Sequence, residues 1–131
     1  MADTKYKVLL LDDDHFLLQM YTMKFTHEGF EVQTSTSVKD ALEILRHGYQ
    51  PDAIAFDITM PEHDGFYFLQ VLRDEKLAEH AKKIALTNQQ SEPEKIKATE
   101  LGADLYVIKA TMIPSEVVNM VRTALSGQRA S

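Results

Sequence analysis

Ala53-Ile54-Ala55-Phe56-Asp57, continued by Ile58-Thr59-Met60-Pro61 and, after two more residues, Asp64-Gly65, is the stretch from which the fold is read. A short apolar run bounded by turn residues has the pattern of a buried strand. This one ends on an acid. A second run does the same: Val8-Leu9-Leu10-Leu11 passes directly into Asp12-Asp13-Asp14. A carboxylate at the carboxyl end of a buried strand stands where open α/β sheets bind their ligands. Carboxylates crowded there repel one another unless a hard cation neutralises them. The pattern points to a Mg²⁺ site built around an exposed aspartate.

Outward from these two runs the chain alternates. Strands are expected over residues 7–11, 30–35, 53–57, 82–87 and 105–108. Helices are expected over 14–28 with Gly29 as the stop, from Ser37 to residue 45, from Asp64 to residue 73, from Ser91 to Gly102, and from Pro114 to residue 125. Ser37 and Asp64 suit helix N-caps, and Pro93 suits a first turn. The polar tail from Ser126 is expected to fray. Strand and helix in strict alternation predict a parallel sheet with helices on both faces and right-handed crossovers. The fold class is therefore α/β: a five-stranded, doubly wound parallel sheet in a three-layer α/β/α arrangement. No repeat or linker divides the chain, so residues 1–131 read as one domain with a core of about 5–126.

Composition narrows the function. Lys and Arg number 14 against 20 Asp and Glu, a formal charge of −6, which disfavours a nucleic-acid surface. There is no cysteine, which excludes disulfides, thiol chemistry and Cys-based zinc sites. No apolar run approaches the ~20 residues of a membrane span. Met1-Ala2-Asp3-Thr4-Lys5 has no signal-peptide character, and a cytoplasmic location is the simplest expectation. The histidines at 15, 27, 47, 63 and 80 lack metal-ligand spacing and read as surface residues.

With strand order 2-1-3-4-5, Asp12, Asp13 and Asp57 converge at one end of the sheet. Thr87 ends the fourth strand and Lys109 follows the fifth, facing the same crevice. In these residues, with Met60-Pro61, Asp64-Gly65 and Tyr106, the chain resembles the receiver domain of two-component response regulators, and in size a stand-alone chemotaxis-type regulator. The resemblance runs from Lys7 to Leu125. It implies the flavodoxin-like fold and a set of roles. Asp57 is the expected phosphoacceptor, fed by a sensor histidine kinase or a phosphotransfer protein. Asp13, Asp57 and the backbone carbonyl of Thr59 would ligate Mg²⁺, with Asp12 holding the ion through water. Lys109 would pair with the phosphoryl oxygens. Thr87 would hydrogen-bond them and relay the change to Tyr106. A downstream protein would read helix 4, strand 5 and helix 5. Such a module assists its own phosphorylation without being a turnover enzyme. It is expected to be a monomer or a weak, phosphorylation-dependent dimer, with no direct nucleic-acid or membrane contact. No effector follows Leu125, so a stand-alone regulator or an excised piece of a longer one is expected.

Competing readings attach to several residues. Asp14 suits a helix cap better than a metal. Thr87 could merely end a strand, and Lys109 could be a surface lysine. On the first helix, Leu17, Leu18, Tyr21 and Phe25 can face the sheet, while Phe16, Met20 and Met23 form a second stripe, either buried or offered to a kinase. A scaffold that works without phosphorylation has no need of the acid, hydroxyl and amine set. Aspartate-nucleophile phosphatases would carry a second acid where Thr59 stands. Three positions depart from the family pattern. Ala110 replaces the proline after the lysine, so residues 109–114 are expected to take another path. Asn88 replaces a small residue, and with Gln89 it is expected to overhang the crevice and hinder small phosphodonors. His63 replaces an apolar residue.

Overall fold

The computed structural model describes residues 5–88 and 90–130. Its elements are β1 (Lys7–Leu11), α1 (His15–His27), β2 (Glu31–Ser35), α2 (Val38–Arg46), β3 (Ala53–Asp57), α3 (Gly65–Glu75), β4 (Lys82–Thr87), α4 (Glu92–Glu100), β5 (Leu105–Ile108) and α5 (Pro114–Ala130), with a 3-10 turn at Lys109–Thr111. Four strands have the expected bounds. The second starts one residue late because the Phe30 N–H donates to the Phe25 carbonyl and so belongs to the end of α1. Four helices start on capping side chains. Asp14, Ser37, Asp64 and Ser91 accept from the N–H groups of Leu17, Asp40, Tyr67 and Glu94, which satisfies donors that lack an intrahelical partner.

The last helix runs beyond its expected end at residue 125: α5 continues through Ser126 to Ala130. Each residue added to an existing helix gains a hydrogen bond without a new nucleation cost. Only Gly127 in that tail is a poor helix former.

The sheet is all parallel, in the order β2-β1-β3-β4-β5. Its register aligns the strand exits. Leu11 lies opposite Phe56, Asp57 opposite Leu86, and Thr87 opposite Ile108. The residues that leave the sheet at this end are therefore level with one another, which is what a site shared between strands requires.

Alternate side chains fill two separate cores. Leu9, Leu11, Ile54, Phe56 and Ala85 point to the layer of α2, α3 and α4. Val8, Leu10, Ala55, Ile84 and Leu86 point to the layer of α1 and α5. Every residue of β3 is buried. The helices are anchored unequally: α3 buries Phe68, Leu69 and Leu72, whereas α4 buries only Ala98. On α1, Leu18, Tyr21 and Phe25 are buried, but Phe16 and Met23 are 71% and 68% exposed. The second stripe of that helix is a surface and not part of the core.

The opposite end of the sheet is closed by acids. The Asp52 carboxylate accepts from the Lys7 N–H and the Asp104 carboxylate from the Lys83 N–H, each at 2.8 Å. Strand-start donors that would otherwise need water are satisfied there.

Candidate functional site

The loop leaving β3 turns back at once. The Gly65 N–H donates to the Ile58 carbonyl at 2.8 Å. A Cβ at position 65 would lie 2.8 Å from Ile58 Cα and 3.0 Å from the Asp57 carbonyl oxygen. Glycine alone lets α3 begin this close to the strand exit, and the return holds Asp57 at the rim of the sheet.

Asp12 and Asp57 are 2% and 4% exposed, while Asp13 is open to solvent. One oxygen from each can be chosen so that all three lie within 4.8 Å of one another. Asp12 Oδ1 accepts from the Asp14 N–H at 2.9 Å, and its Oδ2 accepts from Lys109 Nζ at 2.9 Å. Asp57 Oδ1 accepts from the Thr59 N–H at 3.3 Å, and its Oδ2 lies 3.4 Å from Lys109 Nζ. Lys109 thus bridges the two buried carboxylates. Burial pushes the Asp57 carboxyl up to about 6, a rise that Lys109 opposes and Asp12 reinforces. Burial alone would lower the Lys109 pKa, but the two acids outweigh it and the ammonium is held above its ordinary value. The donors are all oxygen and the charge is anionic, which fits a small hard cation.

Thr87 follows Leu86, the register partner of Asp57, and is 2% exposed. Its hydroxyl donates to Glu94 Oε1 at 3.1 Å, and the Tyr106 hydroxyl donates to the same oxygen at 2.7 Å. Asp12, Asp13, Asp57, Thr59, Thr87 and Lys109 therefore lie at this end of the sheet, whereas Tyr106 sits within β5 opposite Ala85 and is joined to the group by its hydroxyl. Asp12, Asp13, Asp57 and Lys109 form one cluster, with the Thr59 amide on Asp57. Thr87 and Tyr106 form a second group around Glu94. Asp14 caps α1, as its competing reading holds. The lysine loop opens with a 3-10 turn over Lys109–Thr111, and the amine reaches both acids. Asn88 is exposed, and Gln89 lies outside the described residues. His63 stacks on Tyr67 with ring centroids 4.2 Å apart.

Glu94 is the participant that sequence reasoning missed. Ser91-Glu92-Pro93-Glu94 has the form of a capping box, in which the glutamate would serve its own helix start. The local pattern accounts for the residue fully and so conceals its long-range partners.

A family model described as the response regulator receiver domain matches residues 8–122. The chain belongs to this family. Among curated relatives of this receiver domain, the probable transcriptional regulator ycf27 of Porphyra purpurea is 33% identical over 125 residues, covering 95% of this chain and 49% of that protein. The response regulator SaeR of Staphylococcus aureus is 33% identical over 119 residues, covering 91% of this chain and 50% of its own. The chain spans about half the length of the curated relatives it matches. Among solved structures, a putative response regulator from Chloroflexus aurantiacus J-10-fl is 28% identical with a TM-score of 0.83, over 94% of this chain and 99% of the other. A CheY-like receiver domain protein from Methanospirillum hungatei JF-1 shares the fold at 23% identity with a TM-score of 0.87, over 97% and 98% of the two chains. Among the described residues of the receiver domain, no helix is long and apolar enough to cross a membrane.

Proposed function

We propose that this receiver domain accepts a phosphoryl group on Asp57 from a histidine kinase or phosphotransfer protein, in a Mg²⁺-dependent reaction, and so switches a protein-binding surface. The observation that carries this reading is the bridge from Lys109 Nζ to Asp12 at 2.9 Å and Asp57 at 3.4 Å, beside a third acid, Asp13. An Asp57 oxygen attacks phosphorus of a phosphohistidine. The O–P bond forms as the N–P bond breaks, and the electron pair returns to the imidazole nitrogen. Asp13, Asp57 and the Thr59 carbonyl would hold Mg²⁺, with Asp12 acting through water. The ion would offset negative charge on the phosphoryl oxygens. Lys109 does the same from the other side, and transfer becomes chiefly a matter of position and charge. In this reading the domain is a phosphoacceptor that assists its own phosphorylation and not a turnover enzyme.

Two surfaces serve the ends of this exchange. The open stripe of Phe16, Met20 and Met23 on α1 offers adaptable apolar contact to the donor's helices. The α4, β5 and α5 face carries the output to a downstream protein through Thr87 and Tyr106. The test is transfer from a phosphorylated donor, with beryllium trifluoride binding followed in parallel by NMR. The parent is expected to accept phosphate and bind the mimic only with Mg²⁺, and Asp57→Asn to do neither. Paired Phe16→Ser and Met23→Ser changes are expected to slow transfer and spare mimic binding. Phosphate uptake by Asp57→Asn at the parent's rate overturns the assignment.

A further inference from the structure

Glu94 lies in the first turn of α4, outside the acid cluster, yet its Oε1 receives both hydroxyls of the relay, Thr87 at 3.1 Å and Tyr106 at 2.7 Å. Its own backbone N–H is taken up by Ser91 Oγ at 3.3 Å, so the helix start is capped from below while the carboxylate reaches across to β4 and β5. We propose that Glu94 is a positioning residue that holds the Thr87 proton away from Asp57 until a phosphoryl group competes for it. The proposal rests on the phosphoacceptor reading of Asp57.

The reasoning is one of donors and acceptors. An ionised carboxylate only accepts, so each hydroxyl reaches Glu94 as a donor, and the two hydroxyls are also hydrogen-bond partners of one another. Hydrogen bonds to a charged acceptor are the stronger kind. A phosphoryl oxygen on Asp57 needs the Thr87 proton that Glu94 holds. The two acceptors therefore compete, and the arrival of one releases the other. Tyr106 shares the contested oxygen, so it feels the exchange directly. Helix α4 feels it too, because Glu94 belongs to that helix and Ala98 is its only buried anchor. A ligand shifts a population only through contacts that differ between states. Here the differing contact is the Thr87 proton, which Glu94 accepts in the unphosphorylated domain and a phosphoryl oxygen competes for.

The experiment measures beryllium trifluoride affinity at saturating Mg²⁺ by NMR for the parent, Glu94→Ala, Glu94→Gln, Thr87→Ala and the Thr87→Ala/Glu94→Ala double variant. Removing a competing acceptor is expected to tighten binding roughly two- to tenfold in Glu94→Ala, since a net hydrogen bond has that scale. Glu94→Gln keeps an oxygen acceptor without the charge and is expected between the two. In the Thr87→Ala background the Glu94 effect is expected to vanish, because it acts through the Thr87 proton. Tyr106 ring resonances of mimic-free Glu94→Ala are expected to move toward those of the mimic-bound parent. A residue that merely braced α4 would give weaker binding in every background. Unchanged or weaker binding in Glu94→Gln, or a Glu94 effect that persists without Thr87, overturns the proposal while the parent still binds. A parent that binds no mimic overturns the phosphoacceptor reading and this one with it.

Discussion

Asp57 is an acid whose folded environment favours its proton. Its pKa rises from 3.8 to about 6, first through burial, with Lys109 opposing and Asp12 assisting. Between those two pH values the folded chain binds more protons than the unfolded one, so stability falls as pH rises through that window. Above it the deficit is complete, on the order of 1–3 kcal/mol, since a tenfold change in an acid's dissociation constant corresponds to about 1.4 kcal/mol and the Lys109 pairing makes the larger figure an upper bound. Asp57→Asn removes the charge without removing the shape. In chelator at pH 7.5 it is expected to be more stable than the parent by about that amount. At pH 3.5 the difference is expected to shrink toward zero. Urea denaturation at the two pH values measures both, and a destabilised variant at pH 7.5 contradicts this account of the carboxylate.

Helix α4 belongs to the proposed output face and has the fewest buried side chains holding it. It buries Ala98 alone, while α1 buries Leu18, Tyr21 and Phe25. Elements with few buried apolar side chains open at lower cost. Amide hydrogen exchange is expected to be faster throughout α4 than in α1 or α3, and equal protection would refute the ranking. The elements also show what a sequence discloses. Strands β1 and β3 are legible because each is a compact apolar run closed by acid, and the cluster of Asp12, Asp13, Asp57 and Lys109 follows once their order is known. The faces of α1 are less legible. Leu18, Tyr21 and Phe25 and the rival stripe of Phe16, Met20 and Met23 are alike in hydropathy, and only the packed layer beneath decides which turns outward. Glu94 was hidden behind a local motif, because partners 7 and 12 residues away leave no periodic trace.

Across the whole molecule, acids stand at both ends of the same sheet but are used differently. Asp12, Asp13 and Asp57 gather at the strand exits, where Asp13 alone of the three is open to solvent. Asp52 and Asp104, at the strand entrances, are committed to the backbone N–H groups of Lys7 and Lys83. Replacing either entrance acid by alanine is expected to lower stability by about 0.5–1.5 kcal/mol, the net value of such a bond. Beryllium trifluoride affinity is expected to stay at the parent's value, and a loss of affinity comparable to the loss of stability would show the two ends to be coupled. With the ends uncoupled, a lineage adapting to heat has a pole at which to change without touching its signalling. Changes in signalling rate can accumulate at the other pole under separate selection.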